Sequence, residues 1–444
     1  MKILIVGAGQ VGTHLAKLLS KEDHDIVLMD SDESRLVFTA NIEIMSLEGN
    51  PTSLSDLNKA GVSTCDIFIA VTPDESVNMT ACMLATNMGA HKTIARISNK
   101  EYLLQKNTEF FAKLGVDSLI CPEMLAAQEI VNTLKKPWTR QWWELCGGAL
   151  ILIGVKVRKN APVVDKYLSD LSKDNKIYHV VVIKRDRETI IPRGDDKIKA
   201  DDILYFSTTK EHIDNIRQCT GKTNVEIKKV TIMGGSRIAV KLSEYLPSNI
   251  RIKILETSKS KSYKLAEKIG NNVMIINGDG RDTDLLIQEN IKDSDAFVAL
   301  TDSSETNILA CVAAKSLGVP KTVAQVENLD YIQMAEKLNI GSVINKKLIA
   351  VSHMYRFLLD ADVSNVKCLA FADADVAELI ARPKSKVTRK PVNKLNLPKD
   401  MTLGGLIRNG KATMINGETQ IEAYDQVVVF CLETALRKIE DYFN

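Results

Sequence analysis

Two stretches of this chain are one segment written twice. Asp66-Ile-Phe-Ile-Ala-Val-Thr72 through Asn99 and Asp295-Ala-Phe-Val-Ala-Leu-Thr301 through Asn328 superpose without a gap at an offset of 229, with thirteen of thirty-four positions identical. The identities include Asn78/Asn307, Ala81-Cys82/Ala310-Cys311, Gly89/Gly318 and Lys92-Thr93/Lys321-Thr322. The starts of the halves align too, Lys2-Ile-Leu-Ile-Val-Gly7-Ala-Gly9 with Lys229-Val-Thr-Ile-Met-Gly234-Gly-Ser236. A last pair, Arg193-Gly194 through Phe206 and Asn416-Gly417 through Phe430, completes an A-B-A-B order. A repeat of this size means one folding unit used twice.

Within each A segment, short β-branched runs (Ile3–Val6, Ile26–Met29, Ile67–Val71, Thr93–Ile97) alternate with stretches of helical period (Val11–Ser20, Leu54–Ala60, Val77–Met88). That alternation predicts βαβ units on a parallel sheet. The B segments carry strand-like runs at Ala149–Val157 and Val180–Ile183 and one helix-like piece at Val164–Leu171, and read as small α+β modules. The expected fold class is α/β: two Rossmann-like, doubly wound parallel-sheet lobes, each followed by a small α+β lobe. The boundaries expected are 1–135, 136–221, 228–360 and 361–444, with polar Gly221–Lys228 as the linker between halves.

Gly7-Ala8-Gly9-Gln10-Val11-Gly12 follows the first strand directly and opens an amphipathic helix, the context in which a G-x-G-x-x-G signals dinucleotide binding. Gly7 makes the tight turn, Gly9 lets a pyrophosphate approach the backbone, and Gly12 lets helix pack on strand. The helix N-terminus supplies free N–H groups and positive partial charge. The second strand ends in Asp30, 18 residues after Gly12, where a carboxylate accepts ribose hydroxyls. With Asp32 and Glu33 following, NAD(H) is expected over NADP(H). Thr72-Pro73 closes the fourth strand and Arg96 the fifth, at the same crevice, where Arg96 either neutralises phosphate or forms an ordinary ion pair.

The second copy departs from this pattern. Gly234-Gly235-Ser236-Arg237-Ile238-Ala239 has serine for the second glycine and alanine for the third, Glu256 keeps the acid, and Arg96 becomes Gln325. Ser236 is expected to crowd the phosphates, and Lys259 and Lys261 follow the acid where the first copy has acids. The second site is therefore expected to bind dinucleotide weakly, to suit another nucleotide, or to be structural.

Other features narrow the function by exclusion. Lys+Arg 58 against Asp+Glu 56 gives +2, which offers nothing to nucleic acid. The N-terminus runs straight into a strand and no apolar run approaches membrane-span length, so a cytoplasmic location is expected. The eight cysteines (Cys65, Cys82, Cys121, Cys146, Cys219, Cys311, Cys368, Cys431) form no C-x-x-C pair, which implies neither zinc nor disulfides. The six histidines form no catalytic motif, and the B segments are short for catalytic domains. A regulatory rather than enzymatic role is expected, with a NAD-dependent oxidoreductase as the alternative.

Over essentially its whole length the sequence resembles the tandem RCK family (regulators of potassium conductance), in the form of the cytoplasmic regulatory subunit of bacterial Trk potassium uptake. The residues that carry the resemblance are the opening MKILIVGAGQVG, Asp30, Asp66-Ile-Phe-Ile-Ala-Val-Thr-Pro-Asp-Glu-Ser-Val-Asn78-Met with Ile94-Ala-Arg96-Ile, and their second-half counterparts. The resemblance implies a homo-oligomeric, tetrameric ring on the inner face of a Trk-type potassium channel membrane subunit, shaped by NAD(H) and adenine nucleotides. It carries the first site over to Gly7, Ala8, Gly9, Gln10, Val11, Asp30, Thr72, Pro73 and Arg96. It carries the second, for NAD(H) or ADP/ATP, to Gly234, Gly235, Ser236, Arg237, Ile238, Glu256, Thr301 and Asp302. The apolar segments Glu123–Leu134 and Leu348–Leu359 would be crossover helices through which such lobes pair. A regulator of another potassium transporter is the variant reading, less suited to a free-standing tandem chain.

Overall fold

The computed structural model describes residues 1–20, 24–37, 43–173, 177–186, 188–223, 225–270, 272–355, 363–368, 374–432 and 435–443. The end of the segment Leu348–Leu359 and the side chain of Cys368 lie outside the described residues.

The first parallel sheet is built from β1 (Lys2–Val6), β2 (Asp25–Asp30), β3 (Met45–Glu48), β4 (Ile67–Ala70), β5 (Lys92–Arg96) and β6 (Ser118–Ile120). Its order, β3-β2-β1-β4-β5-β6 with every pair parallel, reverses direction between β1 and β4, the switch point of a doubly wound sheet. The connecting helices are α1 (Gln10–Leu19), α2 (Glu33–Leu36), α3 (Leu54–Lys59), α4 (Glu75–Asn87), α5 (Gln105–Lys113) and α6 (Pro122–Lys135). Because helices cover both faces, β1 carries no polar alternation: Ile3, Leu4, Ile5 and Val6 are all fully buried. Cys82, on α4, is buried too, and burial pushes its thiol up, as befits a core residue.

A small antiparallel sheet follows: β7 (Gln141–Leu145), β8 (Leu150–Lys156), β9 (Tyr178–Arg185), β10 (Glu188–Ile190) and β11 (Ile203–Thr208), in the order β10-β9-β11-β8-β7, with helices α7 (Leu168–Lys173) and α8 (Ile213–Cys219). The helix expected from Val164 starts only at Leu168. The chain from Ala161 to Tyr167 is held instead in turns, and Asp165 takes a left-handed φ of 63°, which breaks the helical path.

The second half repeats both layers. The second parallel sheet is β12 (Lys229–Met233), β13 (Arg251–Glu256), β14 (Val273–Asn277), β15 (Ala296–Ala299), β16 (Lys321–Gln325) and β17 (Ser342–Ile344), in the order β14-β13-β12-β15-β16-β17. Its helices are α9 (Arg237–Tyr245), α10 (Lys259–Lys268), α11 (Thr283–Gln288), α12 (Ser304–Ser316), α13 (Leu329–Lys337) and α14 (Lys346–Tyr355). The last sheet, β18 (Val363–Cys368), β19 (Ala374–Ile380), β20 (Met401–Arg408), β21 (Lys411–Met414) and β22 (Gln426–Leu432), runs β18-β19-β22-β20-β21, with α15 (Leu436–Phe443) at its end. Read in chain order, this is the connectivity of the first antiparallel sheet. The two antiparallel sheets share one apolar cluster, in which Leu150, Val181 and Tyr205 meet Val376, Val428 and Phe430.

The chain forms two compact units: residues 1–126 with 346–358, and residues 127–345 with 359–444. Helix α14, which a lobe boundary at 360 would leave with the second parallel sheet, packs in the first unit, against α1 and β6. The second unit begins within α6, at Ala127.

The B-segment parallel noticed in the sequence has a structural centre. Asp202, 1 % exposed, accepts both arms of the Arg185 guanidinium at 2.9 and 2.8 Å and the backbone N–H of Lys199 at 2.8 Å. Asp425, 2 % exposed, accepts Arg408 at 2.9 and 2.6 Å and the N–H of Glu422 at 2.8 Å. The bidentate geometry satisfies the guanidinium and the loop N–H together, which is what makes a buried carboxylate tolerable. Removing the acid strands a partly buried cation, so Asp202→Ala and Asp425→Ala are each expected to lower the unfolding free energy by about 3 kcal/mol. Urea melts of the full chain check this; a loss below 1 kcal/mol in both variants would mean that the pairs are only surface contacts.

Candidate functional site

The glycine turn after β1 has the form the motif requires. Gly7 adopts a φ of 104°, and a Cβ there would stand 2.9 Å from the Thr72 nitrogen, so the turn and β4 approach too closely for any side chain. At Gly12 a Cβ would collide with the Gly7 carbonyl oxygen, which explains the third glycine as a packing requirement. Gly9 differs: it has the extended φ of −73°, and a Cβ would meet nothing within 4 Å. Among the described residues, the space that a Cβ on Gly9 would enter is therefore open. Gly9 is also the N-cap of α1 and offers no side-chain oxygen, so no side-chain hydrogen bond caps the helix start there.

Asp30, at the end of β2, is 6 % exposed. One of its oxygens accepts the Ala8 N–H at 2.6 Å and the other the Asp32 N–H at 3.0 Å, so the carboxylate fixes the turn and the following loop. Arg35, which the sequence reading missed, stands 3.8 Å from Asp30 and 3.3 Å from Asp32. The edge expected to be purely acidic thus holds a cation, brought round by the one short turn of α2. Asp32 and Glu33 are exposed, and Asp32 is engaged in capping α2 through Ser34.

The ends of β4 and β5 are tied together by Asn78, fully buried on α4. Its oxygen accepts from the Thr72 N–H at 2.9 Å and hydroxyl at 2.7 Å, and its amide donates to the carbonyls of Thr72 at 3.0 Å and Arg96 at 2.8 Å. Pro73, next in the loop, has no N–H to compete for these acceptors. Arg96 points its guanidinium at the buried Glu123, 3.6 Å away. All nine first-site residues thus lie at the carboxyl ends of parallel strands or at the start of α1, round the switch point of one sheet.

The second crevice repeats the frame with different chemistry. Gly234 takes the same left-handed turn at φ 94°, the Gly235 N–H reaches Glu256 at 2.9 Å, and the other Glu256 oxygen accepts Ser258 at 2.9 Å. Lys261 pairs with Glu256 at 3.0 Å. Burial works against the Glu256 charge, but these N–H donors and Lys261 outweigh it and hold the carboxyl below its ordinary pKa. Asn307 binds Thr301 and the Gln325 carbonyl as Asn78 binds Thr72 and Arg96. Asp302 follows Thr301 where Pro73 follows Thr72, Gln325 donates to Glu327 at 2.9 Å, and Arg237 and Ile238 open α9.

The structure adds two details to this second crevice. Ser236 does not strain the turn, because its φ of −70° is that of Gly9, where a Cβ has room. It acts through its hydroxyl, which caps α9 by accepting the Ala239 N–H at 3.4 Å, so the helix start that is open in the first lobe is occupied in the second. Lys261 also has a counterpart in the first lobe: each strand-end acid has a cation beside it, Arg35 at Asp30 and Lys261 at Glu256. The Asn78/Asn307 role was signalled only by their identity in both copies, and Arg35 by nothing in the motif.

Comparison with known proteins places the chain. The family model of the TrkA-N domain matches residues 3–122 and 230–346, and that of the TrkA-C domain matches residues 152–218 and 376–444. The chain is 31% identical over all of its length and all of the relative's to Trk system potassium uptake protein TrkA homolog 1 of Methanosarcina mazei. It is 30% identical to Trk system potassium uptake protein TrkA of Halomonas elongata, covering 100% of this chain and 99% of the relative. Its fold is that of the GsuK channel bound to NAD, at TM-score 0.62 and 13% identity, covering 100% of this chain and 78% of that one. A duplicated sheet-and-lobe frame with these matches along nearly its whole length makes the chain a member of the TrkA family of potassium uptake proteins, built as TrkA-N, TrkA-C, TrkA-N, TrkA-C.

Proposed function

We propose that the chain is a cytoplasmic, non-catalytic regulatory subunit that gates a Trk-type potassium channel membrane subunit from its inner face, as a homo-oligomeric ring whose shape depends on bound nucleotide. Its lobes would span 1–135, 136–221, 228–360 and 361–444. The observation that carries the reading is the pair of duplicated crevices with one open and one self-capped helix start. The open N-terminus of α1, with Gly9 bare above it and Asp30 fixed beside it, suits the pyrophosphate and ribose of NAD(H). Supporting this, a channel of the same fold has been solved with NAD. In the second crevice the Ser236 hydroxyl stands where a phosphate would take its N–H donors, so a ligand there must displace the cap or hold its phosphate elsewhere. That favours ADP or ATP over NAD(H). Gln325, neutral where Arg96 is charged, points the same way.

Two unequal sites suffice for a switch. A ligand shifts an equilibrium between ring shapes only by its difference in affinity for them, so no chemical step is needed. No helix among the described residues is long and apolar enough to cross a membrane, and contact with the channel would run through a membrane partner. Co-sedimentation with membranes only when a Trk channel subunit is present, together with nucleotide-dependent potassium flux, tests the function. Steady NADH consumption by the chain alone would favour the oxidoreductase reading instead. Light scattering under reducing conditions is expected to give a multiple of the 49.2 kDa chain mass, and a monomer both with and without nucleotide would count against a ring.

Site assignment is tested in the full chain, because α14 packs against the first lobe and an isolated first half would lack it. Gly9→Ser places a hydroxyl where there is room for it, so thermal stability should hold while the side chain caps α1. NADH affinity is then expected to fall about tenfold, the loss of roughly one charge-assisted hydrogen bond. Unchanged NADH titration in this variant would show that the pyrophosphate does not sit on α1.

Wild-type chain is also expected to prefer NADH to NADPH, since Asp30 stands at the end of β2, where the ribose of the proposed ligand would lie. Arg35 should soften that preference, and Arg35→Ala is expected to widen it. Equal affinities for the two cofactors would refute the ribose assignment.

A further inference from the structure

At the amino ends of the second parallel sheet, opposite to the candidate crevice, lies a cavity of about 120 Å³ within the second compact unit. Six cations line it, Arg140, Lys156, Arg158, Lys222, Lys315 and Lys321, with Asp201 as the one carboxylate in the lining. Asp201 pairs with Lys156 at 3.5 Å. Among the described residues the other five cations have no ion-pair partner. Their hydrogen bonds go to neutral acceptors. Arg140 donates to the Gly341 carbonyl and, at 2.8 Å, to the Asn339 side chain, while Lys315 donates to the Asn339 carbonyl. Lys321, only 6 % exposed, donates to the Thr139 carbonyl at 2.7 Å and the Ser342 hydroxyl at 3.0 Å. Such bonds aim the basic side chains without giving them a counter-charge.

The internal repeat supplies a control. Ser118 pairs with Ile94 in the first sheet as Ser342 pairs with Val323 in the second, which makes Asp117 and Gly341 equivalent, and Thr86 and Lys315. In the first lobe Asp117 accepts the Thr93 N–H at 2.8 Å and Thr86 donates to the Gly115 carbonyl at 2.7 Å. The fold therefore closes this corner with an acid and a neutral hydroxyl. In the second lobe the acid is gone and a lysine has been added, at the place where Lys156, Arg158 and Lys222 converge from the antiparallel lobe.

We propose that this cavity is a binding site for a phosphate-class anion, an inorganic phosphate or pyrophosphate or the phosphoryl group of a small metabolite, separate from both nucleotide crevices. Concentrated like charge with few counter-charges is unfavourable until an anion enters, and the hollow focuses the field on one spot. The volume is small beside the roughly 300–1,000 Å³ of pockets that hold drug-sized ligands, which suits a phosphoryl or pyrophosphoryl group and excludes a dinucleotide. Burial, with Arg140, Lys222 and Lys315 adding to it, lowers Lys321 to about 7. Burial and then Arg158, Arg140, Lys156 and Lys315 lower Lys222 to about 8. Glu336, within electrostatic reach of Arg140, is itself pushed up by burial. An anion among these groups raises the lysine pKa values again, so binding near pH 7.5 should take up protons and should weaken as pH rises to 9.

The test titrates the full chain with pyrophosphate, inorganic phosphate and, as a general anion control, sulfate, in two buffers of different ionisation heat at pH 7.5. Saturable pyrophosphate binding with proton uptake is expected, weaker with phosphate and weakest with sulfate. Lys222→Gln with Lys315→Gln should weaken it at least tenfold, leave NADH binding as in wild type, and raise the melting temperature of the ligand-free chain by relieving repulsion. Arg158→Gln, at an exposed position, gives the same test with least risk to folding. Absence of saturable binding by wild type, equal binding of sulfate, or full binding by both variants would overturn the proposal.

Discussion

At the end of the second strand of each parallel sheet a buried carboxylate receives a backbone N–H from the glycine turn, Ala8 onto Asp30 at 2.6 Å and Gly235 onto Glu256 at 2.9 Å. The left-handed turn, the start of the next helix and the loop after the strand all take their positions from this contact. Without the acid the turn N–H would be a buried donor with no acceptor, a cost comparable to a lost hydrogen bond. The same carboxylate keeps lone pairs for a ligand, so one residue both builds the crevice and equips it. Asn78 and Asn307 do the equivalent work on the far side of the switch point, each stitching two strand ends through one side-chain amide.

Duplication gives a view of what this frame demands and what it leaves open. The turns at Gly7 and Gly234, the acids, the asparagine stitches and the buried Arg–Asp pairs of the antiparallel lobes recur in both halves with nearly the same distances. Several changes fall on groups outside that frame: Gly9 to Ser236 at a helix cap, Arg96 to Gln325 at a strand end, Thr86 to Lys315 and Asp117 to Gly341 at the opposite end of the sheet. Each alters what the surface offers to an anion. In the proposed scheme one copy has kept the open helix start and the other has gained a basic hollow elsewhere, so the halves report on different ligands.

The placement of α14 links the two levels. A helix encoded after the second parallel sheet covers α1 and β6 of the first. The helix that begins at the candidate dinucleotide turn is therefore packed against an element from the far half of the sequence. A shift of α1 on binding a ligand would act on α14 directly.

The repeat, the strand-helix alternation, the glycine turns and the strand-end acids were legible in the sequence because they depend on local periodicity and on spacing along the chain. The same is true of the membership of the family, which rests on motifs in order. Tertiary structure decided the rest. Only packing shows that a Cβ is excluded at Gly7 and Gly12 but free at Gly9, and that the Ser236 hydroxyl caps a helix. Only folding brings Arg35 to Asp30, sends α14 to the first lobe, and gathers cations from residues 140 to 321 around one cavity. These are contacts between residues far apart in the chain or turned by a short helix, and hydrophobic period and motif spacing carry no information about where such side chains meet.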